Sequence, residues 1–261
     1  MGKISIIIVN YNSGDFLKQC LKSIQSSVNC NYEVIIVDNA SKDNSFYQCR
    51  KLFGDNINFK FISAGGNLGF AKANNLGVEN SNGNIIHFLN PDTELSQEIT
   101  FDYQFIQDNP NLVGINKLRN PDGTIVKSDH LIPTLENYIK AIFGKGYRWY
   151  IGASVIISRD NFYKIKKWNE QYFMYYEDLD LFYQIAKNKI KCKILPSIIM
   201  HIGGGCSSNV WSNKERLNRV TEAEKKFYKI NNIAWEYPII KCISTIQKYY
   251  KGLIKRSLQS N

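Results

Sequence analysis

Ile4-Ser5-Ile6-Ile7-Ile8-Val9, running straight into Asn10-Tyr11-Asn12, is the stretch on which the fold is read. A continuous β-branched run of this length predicts a strand covered on both faces, as in a parallel sheet. A helix is expected next, with Ser13 as its N-cap and Phe16, Leu17, Cys20, Leu21 and Ile24 at helical spacing. The strand signal returns at Tyr32-Glu33-Val34-Ile35-Ile36-Val37, followed by the turn residues Asp38-Asn39-Ala40-Ser41 and a helix over about 43–53. Residues 59–62 read as a third strand and 84–89 as a fourth. Between them, Ala64-Gly65-Gly66-Asn67-Leu68-Gly69 opens a helix ending near Gly83. Four short apolar strands alternating with amphipathic helices predict an open, mostly parallel α/β sheet, whose ligands sit beyond the carboxyl ends of the strands.

The second half changes pattern. Asn120-Pro121-Asp122-Gly123 is a strong turn, 134–143 a helix, 149–158 a strand and 193–200 another. Helices are expected over 213–231 and over 239–258 after Pro238. That last helix carries Lys241, Lys248, Lys251, Lys255 and Arg256 without an acid, while Ile239, Ile243, Ile246, Tyr250 and Leu253 recur at spacings of three and four. The chain has 261 residues, 44% of them apolar, enough for a substantial core. Met1-Gly2-Lys3 before the first strand fits neither a signal peptide nor a membrane span. The six cysteines are too scattered for disulfide or metal patterns, as expected in a reducing compartment. A net charge of +10 suits nucleic acid, anionic lipid or a phosphorylated small molecule. No helix-turn-helix, zinc or RNA-binding signature accompanies it, which ranks nucleic acid last.

The reaction chemistry is expected at Phe173-Met174-Tyr175-Tyr176-Glu177-Asp178-Leu179-Asp180-Leu181, with three carboxylates in four residues beside apolar ones. Charge so placed is costly unless it is paired, metal-bound or used in proton transfer. On a helix's first turn one acid can face a cleft while others serve the helix dipole. Asn90-Pro91-Asp92-Thr93 follows the fourth strand, so Asp92 is a candidate to hold a divalent cation against a diphosphate, or else part of an ordinary turn. Asp38 ends the second strand, where it can bind a base or ribose, or cap a helix with Ser41. The glycine loop at 65–69 resembles a phosphate cradle without matching a full fingerprint. His201 precedes Gly203-Gly204-Gly205 and is a candidate co-ligand of Asp92, the other histidines being His87 and His130.

Taken together, Ser5 to Asn12, Val37 to Ser41, Gly66-Asn67-Leu68-Gly69-Phe70-Ala71, Leu89 to Thr93, Gly152-Ala153, Phe173 to Leu181 and His201-Ile202-Gly203-Gly204 resemble the family 2 glycosyltransferases of the GT-A fold. The likeness is strongest to the bacterial rhamnosyltransferase-like branch that builds cell-surface polysaccharides, and it covers about residues 3–206. It implies a GT-A domain over 1–210, with a nucleotide-binding part over about 1–115 and an acceptor part over about 116–210. Residues 211–261 are left as a basic amphipathic helical extension. Asn10, Tyr11, Asn12, Asp38, Asn67, Gly69 and Asn90 would contact the donor, a nucleoside-diphosphate sugar with dTDP or UDP favoured. Asp92 and His201 would bind Mg²⁺ or Mn²⁺, Asp178 would be the base of an inverting transfer, and Glu177, Trp168 and Tyr176 would place a saccharide or lipid-linked acceptor.

This chain departs from the family pattern in places. Asn90 stands at the first position of the Asp-X-Asp motif, as in the related branch. Lys166-Lys167-Trp168-Asn169-Glu170 replaces the common Gly-Gly-Phe-Asp-Glu, and Asn74 stands where many relatives carry Arg, a contact Lys72 can supply instead. The tail fits a helix lying on the inner face of an anionic cell membrane or against another subunit, giving a cytoplasmic, peripheral protein or a homo-oligomer. Rival readings are a nucleotidyltransferase, which needs a Gly-rich basic loop near residues 8–20 where only Gly14 and Lys18 stand, and a non-catalytic glycan or lipid module.

Overall fold

The computed structural model describes residues 2–202 and 212–259, with side chains described up to residue 247. Gly203 to Gly205 and the tail side chains from Lys248 onward lie outside the described residues. In chain order the elements are β1 Ile4–Asn10, α1 Asp15–Ser27, β2 Tyr32–Asp38, α2 Ser45–Phe53, β3 Phe59–Ser63, α3 Phe70–Glu79, β4 Ile85–Leu89 and β5 Thr93–Glu94. Then come α4 Ile99–Asp108, β6 Leu112–Arg119, β7 Asp129–Leu131, α5 Leu135–Ile142, β8 Arg148–Tyr150 and β9 Ser154–Ser158. The chain continues through α6 Arg159–Lys164, α7 Glu177–Lys187, β10 Lys191–His201, α8 Asn213–Ile230 and α9 Glu236–Gln259.

β1 is buried along its whole length. Ile4, Ile6 and Ile8 pack with α1, α2 and α4 on one face of the sheet, while Ile7 and Val9 pack with α3, α6 and α7 on the other. That two-sided cover is why the run lacks alternation: each fully buried Ile contributes about 1.5–3 kcal/mol, and neither face meets water. The eight-stranded sheet has the order β3-β2-β1-β4-β9-β6-β10-β5. Its first four strands are parallel, as expected. The second half makes the sheet mixed, because β9 lies antiparallel between β4 and β6 while β6 and β10 run parallel.

Two expectations change. Residues 149–158 are not one strand: β8 pairs with β7 in a small hairpin, and after Gly152 the chain enters the main sheet as β9. Ser13 is not the N-cap residue, since α1 starts at Asp15 with Gly14 at the N-cap at a positive φ of 54. The last helix begins at Glu236, which places Pro238 in its first turn, where a missing N–H costs little.

His87 lies inside the sheet and takes no part in a site. Burial pushes its imidazole down to about 3, so it is neutral. Its ring nitrogens bond Tyr103 Oη and Ser154 Oγ, each at 2.8 Å, and Ser154 Oγ donates to Asn116 Oδ1 at 2.8 Å. This polar chain ties β4, β9 and β6 together just below Asn90.

Candidate active site

The carboxyl ends of β1 and β2 are joined by side chains. Asn10 pairs in register with Asp38, and the fully buried Asn10 Nδ2 lies 2.9 Å from Asp38 Oδ1 and 3.0 Å from both Ser41 Oγ and Ser45 Oγ. Asn12 is held left-handed at φ 52; its N–H donates to Ser41 Oγ and its Oδ1 accepts the Lys42 N–H. Asp38 caps no helix. It takes the Ser41 N–H at 3.3 Å within its own turn, leaving a mostly buried carboxylate at the sheet edge. Tyr11 sits half-buried on the same turn.

Asn39, beside Asp38 in the turn after β2, clamps the glycine loop. Its Nδ2 donates to Asn67 Oδ1 at 3.0 Å and its Oδ1 accepts the Leu68 N–H at 2.7 Å. The pairing has a sequence signal: an Asn beside the strand-ending Asp, with a second Asn in the loop. Gly69 has φ 79, and a Cβ there would sit 2.3 Å from the Phe173 carbonyl oxygen. Only glycine lets the loop approach so closely, and the Phe70 N–H then donates to that same oxygen at 3.1 Å. The glycine loop is thereby docked against the segment leading to Asp178.

At the end of β4 the Asn90 N–H donates to Ala153 O at 2.9 Å, and Thr93 Oγ1 donates to Asn90 O at 2.6 Å. β5 and β10 place His201 opposite Thr93, and the Ile202 N–H donates to Asp92 O at 3.0 Å. As a result Asp92 Oδ1 and His201 Nε2 lie 3.5 Å apart, with side chains only 7% and 13% exposed. Asn90 Oδ1 is buried without a hydrogen-bond partner, an oxygen aligned for something the polypeptide does not supply. Among the described residues no group of three or more His, Cys, Asp or Glu forms a complete metal cage. The Asp92 carboxylate and the His201 imidazole, with the Asn90 amide oxygen on the same turn as Asp92, are donors that would suit a divalent cation.

The third component is the start of α7. Tyr175 and Tyr176 are both left-handed, at φ 70 and 69, a conformation that costs bulky residues of order 1–2 kcal/mol each. These two residues lead directly into α7, whose acids have different surroundings. Asp180 accepts Asn231 Nδ2 at 2.8 Å and Asn169 Nδ2 at 3.4 Å, so it is structural. Asp178 Oδ1 accepts the Leu179 N–H at 2.8 Å, and its Cβ lies 3.4 Å from the point where a Cβ on Gly152 would stand. Glu177 is buried, with Oε2 unpartnered. Burial raises both carboxyls above the ordinary range, and the charge of Asp178 pushes Glu177 further.

Gly152 and Ala153 join the two halves: Gly152 lies against Asp178, and the Ala153 carbonyl holds the Asn90 backbone. Asp178, Asn90 and the Asp92–His201 pair therefore gather at one edge of the sheet. Trp168 does not join them as an acceptor platform. It is 2% exposed, with its ring edge-on to Phe70 and Phe88 at 5.5 and 5.2 Å, because an indole of this size contributes more as core than at a wet rim. Tyr176 is half-buried and packs on Phe227 at 6.2 Å; Phe173, by contrast, is 41% exposed.

An open α/β sheet with polar turns at its carboxyl edge thus carries an acid–imidazole pair and the half-buried Asp178 beside them. The chain belongs to glycosyl transferase family 2, whose sequence profile matches residues 5–193. It is 29% identical over 217 residues to a low-salt glycan biosynthesis hexosyltransferase, Agl10, of Haloferax volcanii, spanning 75% of this chain and 66% of that protein. It is 32% identical over 131 residues to a teichoic acid poly(glycerol phosphate) polymerase of Staphylococcus epidermidis, spanning 48% of this chain and 16% of the polymerase. Among solved structures, S. aureus TarS 1-349 in complex with UDP-GlcNAc superposes with a TM-score of 0.62 at 18% identity, over 86% of this chain and 65% of that 1-349 chain. GalNAc-T7 with UDP, GalNAc and Mn²⁺ superposes with a TM-score of 0.64 at 15% identity, over 87% of this chain and 50% of that one. The fold is GT-A.

Proposed function

We propose that the protein transfers a sugar, with inversion, from a nucleoside-diphosphate sugar to a glycan or lipid-linked saccharide in bacterial cell-surface polysaccharide biosynthesis. The observation that carries this reading is the gathering of Asp178, Asn90 and the Asp92–His201 pair at the carboxyl edge of one sheet. Asp38 and the Asn10-Tyr11-Asn12 turn hold the nucleoside, Asn67 and Gly69 line the sugar-phosphate side, and Asn90 stands beside the diphosphate with its amide oxygen suited to the cation rather than to phosphate oxygens. Asp92 and His201 hold the cation, Mn²⁺ or Mg²⁺, which when bound neutralises charge on the departing diphosphate. GalNAc-T7, a structural neighbour, carries Mn²⁺ and UDP, in keeping with such a site here.

Asp178 takes the proton of an acceptor hydroxyl as that oxygen attacks the anomeric carbon. The bond from that carbon to the diphosphate oxygen breaks, and the nucleoside diphosphate leaves with the electron pair. Raised by burial, Asp178 is a stronger base than an exposed carboxylate. Glu177, raised still more by its neighbour, stays protonated beside it and donates to an acceptor oxygen. Tyr176 supports that wall, and Phe173, rather than Trp168, offers an accessible ring to the acceptor.

Among the described residues no helix is long and apolar enough to cross a membrane. The basic α9 is read as a peripheral contact with the inner face of the cell membrane, where lipid-linked acceptors are found. A donor panel of UDP-, dTDP- and GDP-sugars, each with Mn²⁺ or Mg²⁺, tests the reaction. Cation-dependent release of one nucleoside diphosphate is expected; saturable sugar binding with no release from any donor would instead make the protein a binding module.

A further inference from the structure

The unit β7–α5–β8 stands outside the main sheet as its own hairpin and helix, and its tip is apolar. Ile139 is 60% exposed, Ile142 79% and Phe143 73%. This exposure is not fraying. Asn137 Nδ2 donates to the carbonyls of Ile132 and Tyr147 at 2.9 and 2.8 Å, and its Oδ1 accepts the Tyr147 N–H at 2.7 Å. A soluble surface seldom holds neighbouring large apolar side chains in water on a braced element unless something covers them.

The charges around the tip identify the cover. Beside α5 runs a groove of about 280 Å³ whose lining includes Lys140, Lys187 and Lys189, and Lys145 follows the tip directly. Lys140 is paired with Glu136, whereas no ion pair to a carboxylate is found for Lys145, Lys187 or Lys189 among the described residues. Apolar side chains projecting beyond lysines without carboxylate partners match a bilayer interface, where the former enter the acyl boundary and the latter meet anionic headgroups.

The root of the same unit lies at the catalytic helix. Tyr150 packs on Phe182 of α7 at 5.2 Å, and Gly152, two residues further on, touches Asp178. The start of α5 is joined to α9 through the Leu135 N–H, which donates to Glu236 Oε2 at 2.8 Å. We infer that the Ile139–Ile142–Phe143 tip is a second membrane-docking element, independent of the basic tail, that seats on an anionic bilayer surface. There it would bring the base to the level at which a lipid-anchored acceptor hydroxyl emerges. Only that purpose rests on the transfer reading; docking itself is read without donor or acceptor.

Full-length protein is sedimented with vesicles of phosphatidylglycerol and phosphatidylcholine in equal parts, and with pure phosphatidylcholine. The double variant Ile142→Ser/Phe143→Ser is compared with Lys145→Gln/Lys189→Gln, the tail being left intact in both. The apolar variant is expected to lower the partition coefficient about tenfold or more, and the lysine variant to lower it only with the anionic vesicles. Both should melt at the wild-type temperature, since the altered side chains are exposed. Unchanged partition in the Ile142→Ser/Phe143→Ser variant would overturn the inference, the tail then sufficing. A concentration-dependent dimer in sedimentation velocity that the same variant abolishes would also overturn it, by making the tip a subunit interface.

Discussion

Asp178→Asn separates chemistry from folding. The amide keeps an oxygen for the Leu179 N–H, now at 2.8 Å, and fits the same space beside Gly152. It cannot accept the acceptor proton, so kcat should fall by the amount a positioned base contributes, about 10²–10⁴-fold. The donor KM and the affinity for nucleoside diphosphate should stay within about twofold, because the contacts of Asp178 are with Leu179 and Gly152 and not with the turns assigned to the nucleotide. Stability should not fall. Burial raises the Asp178 carboxyl from 3.8 to about 6, so above that pH the folded state carries an anion it disfavours by up to about 3 kcal/mol. Sharing of the charge with Glu177 reduces this to about 1–2 kcal/mol, and removing it should raise the melting temperature at pH 7.5 by about 2–6 °C. Nucleoside-diphosphate release and differential scanning fluorimetry on the same preparation read both effects. Turnover within a few-fold of wild type, or lost activity accompanied by a lower melting temperature, would refute the reasoning.

The acid limb of the kcat/KM profile should lie near pH 6, well above that of an exposed aspartate, and disappear in Asp178→Asn. The stability linkage has the opposite sense. A carboxyl whose folded value is raised costs stability once ionised, so wild-type stability should rise as pH falls from 8 towards 5, and more steeply than in Asp178→Asn. Asp180→Asn is expected to destabilise by about 1–3 kcal/mol with little change in kcat per folded molecule, since its carboxylate accepts from Asn231 and Asn169; chemical denaturation measures it. Gly69→Ala places a Cβ against the Phe173 carbonyl at a positive φ, so donor KM should rise and the melting temperature fall by several degrees. Asp92→Asn and His201→Ala should each weaken Mn²⁺-dependent nucleotide binding by about 10–100-fold in calorimetry, and a chelator should do the same to wild type.

The first four strands were legible because each is a short β-branched run, and full burial leaves such runs without polar interruption. The candidate site residues stood out where a polar residue closes a strand, as Asn10 and Asp38 do, or lies in the turn just after one, as Asp92 does. What local pattern does not encode is long-range pairing. Nothing between Trp149 and Ser158 marks the change of sheet at Gly152, and the antiparallel insertion of β9 is set by partners about 40 to 70 residues away. The three acids of α7 look equivalent in sequence; only the distant Asn231 and Asn169 identify Asp180 as structural. Trp168 was misassigned for a related reason, since an aromatic beside an acidic motif reads alike whether it lines a cleft or, as here, fills the space between Phe70 and Phe88. The left-handed Tyr175 and Tyr176 had no sequence signal, because neither is a residue type that favours that conformation.

The proposed transfer requires the Asp92–His201 pair and the half-buried Asp178 to face the same bound donor product. A crystal structure with Mn²⁺ and whichever of UDP, dTDP or GDP binds most tightly tests this directly. The anomalous Mn²⁺ signal should fall between the Asp92 carboxylate and His201 Nε2, with the diphosphate against it and the Asp178 carboxylate opening onto the space beyond. Mn²⁺ and nucleotide seated away from Asp92 and His201, or an Asp178 turned away from the diphosphate, would contradict it.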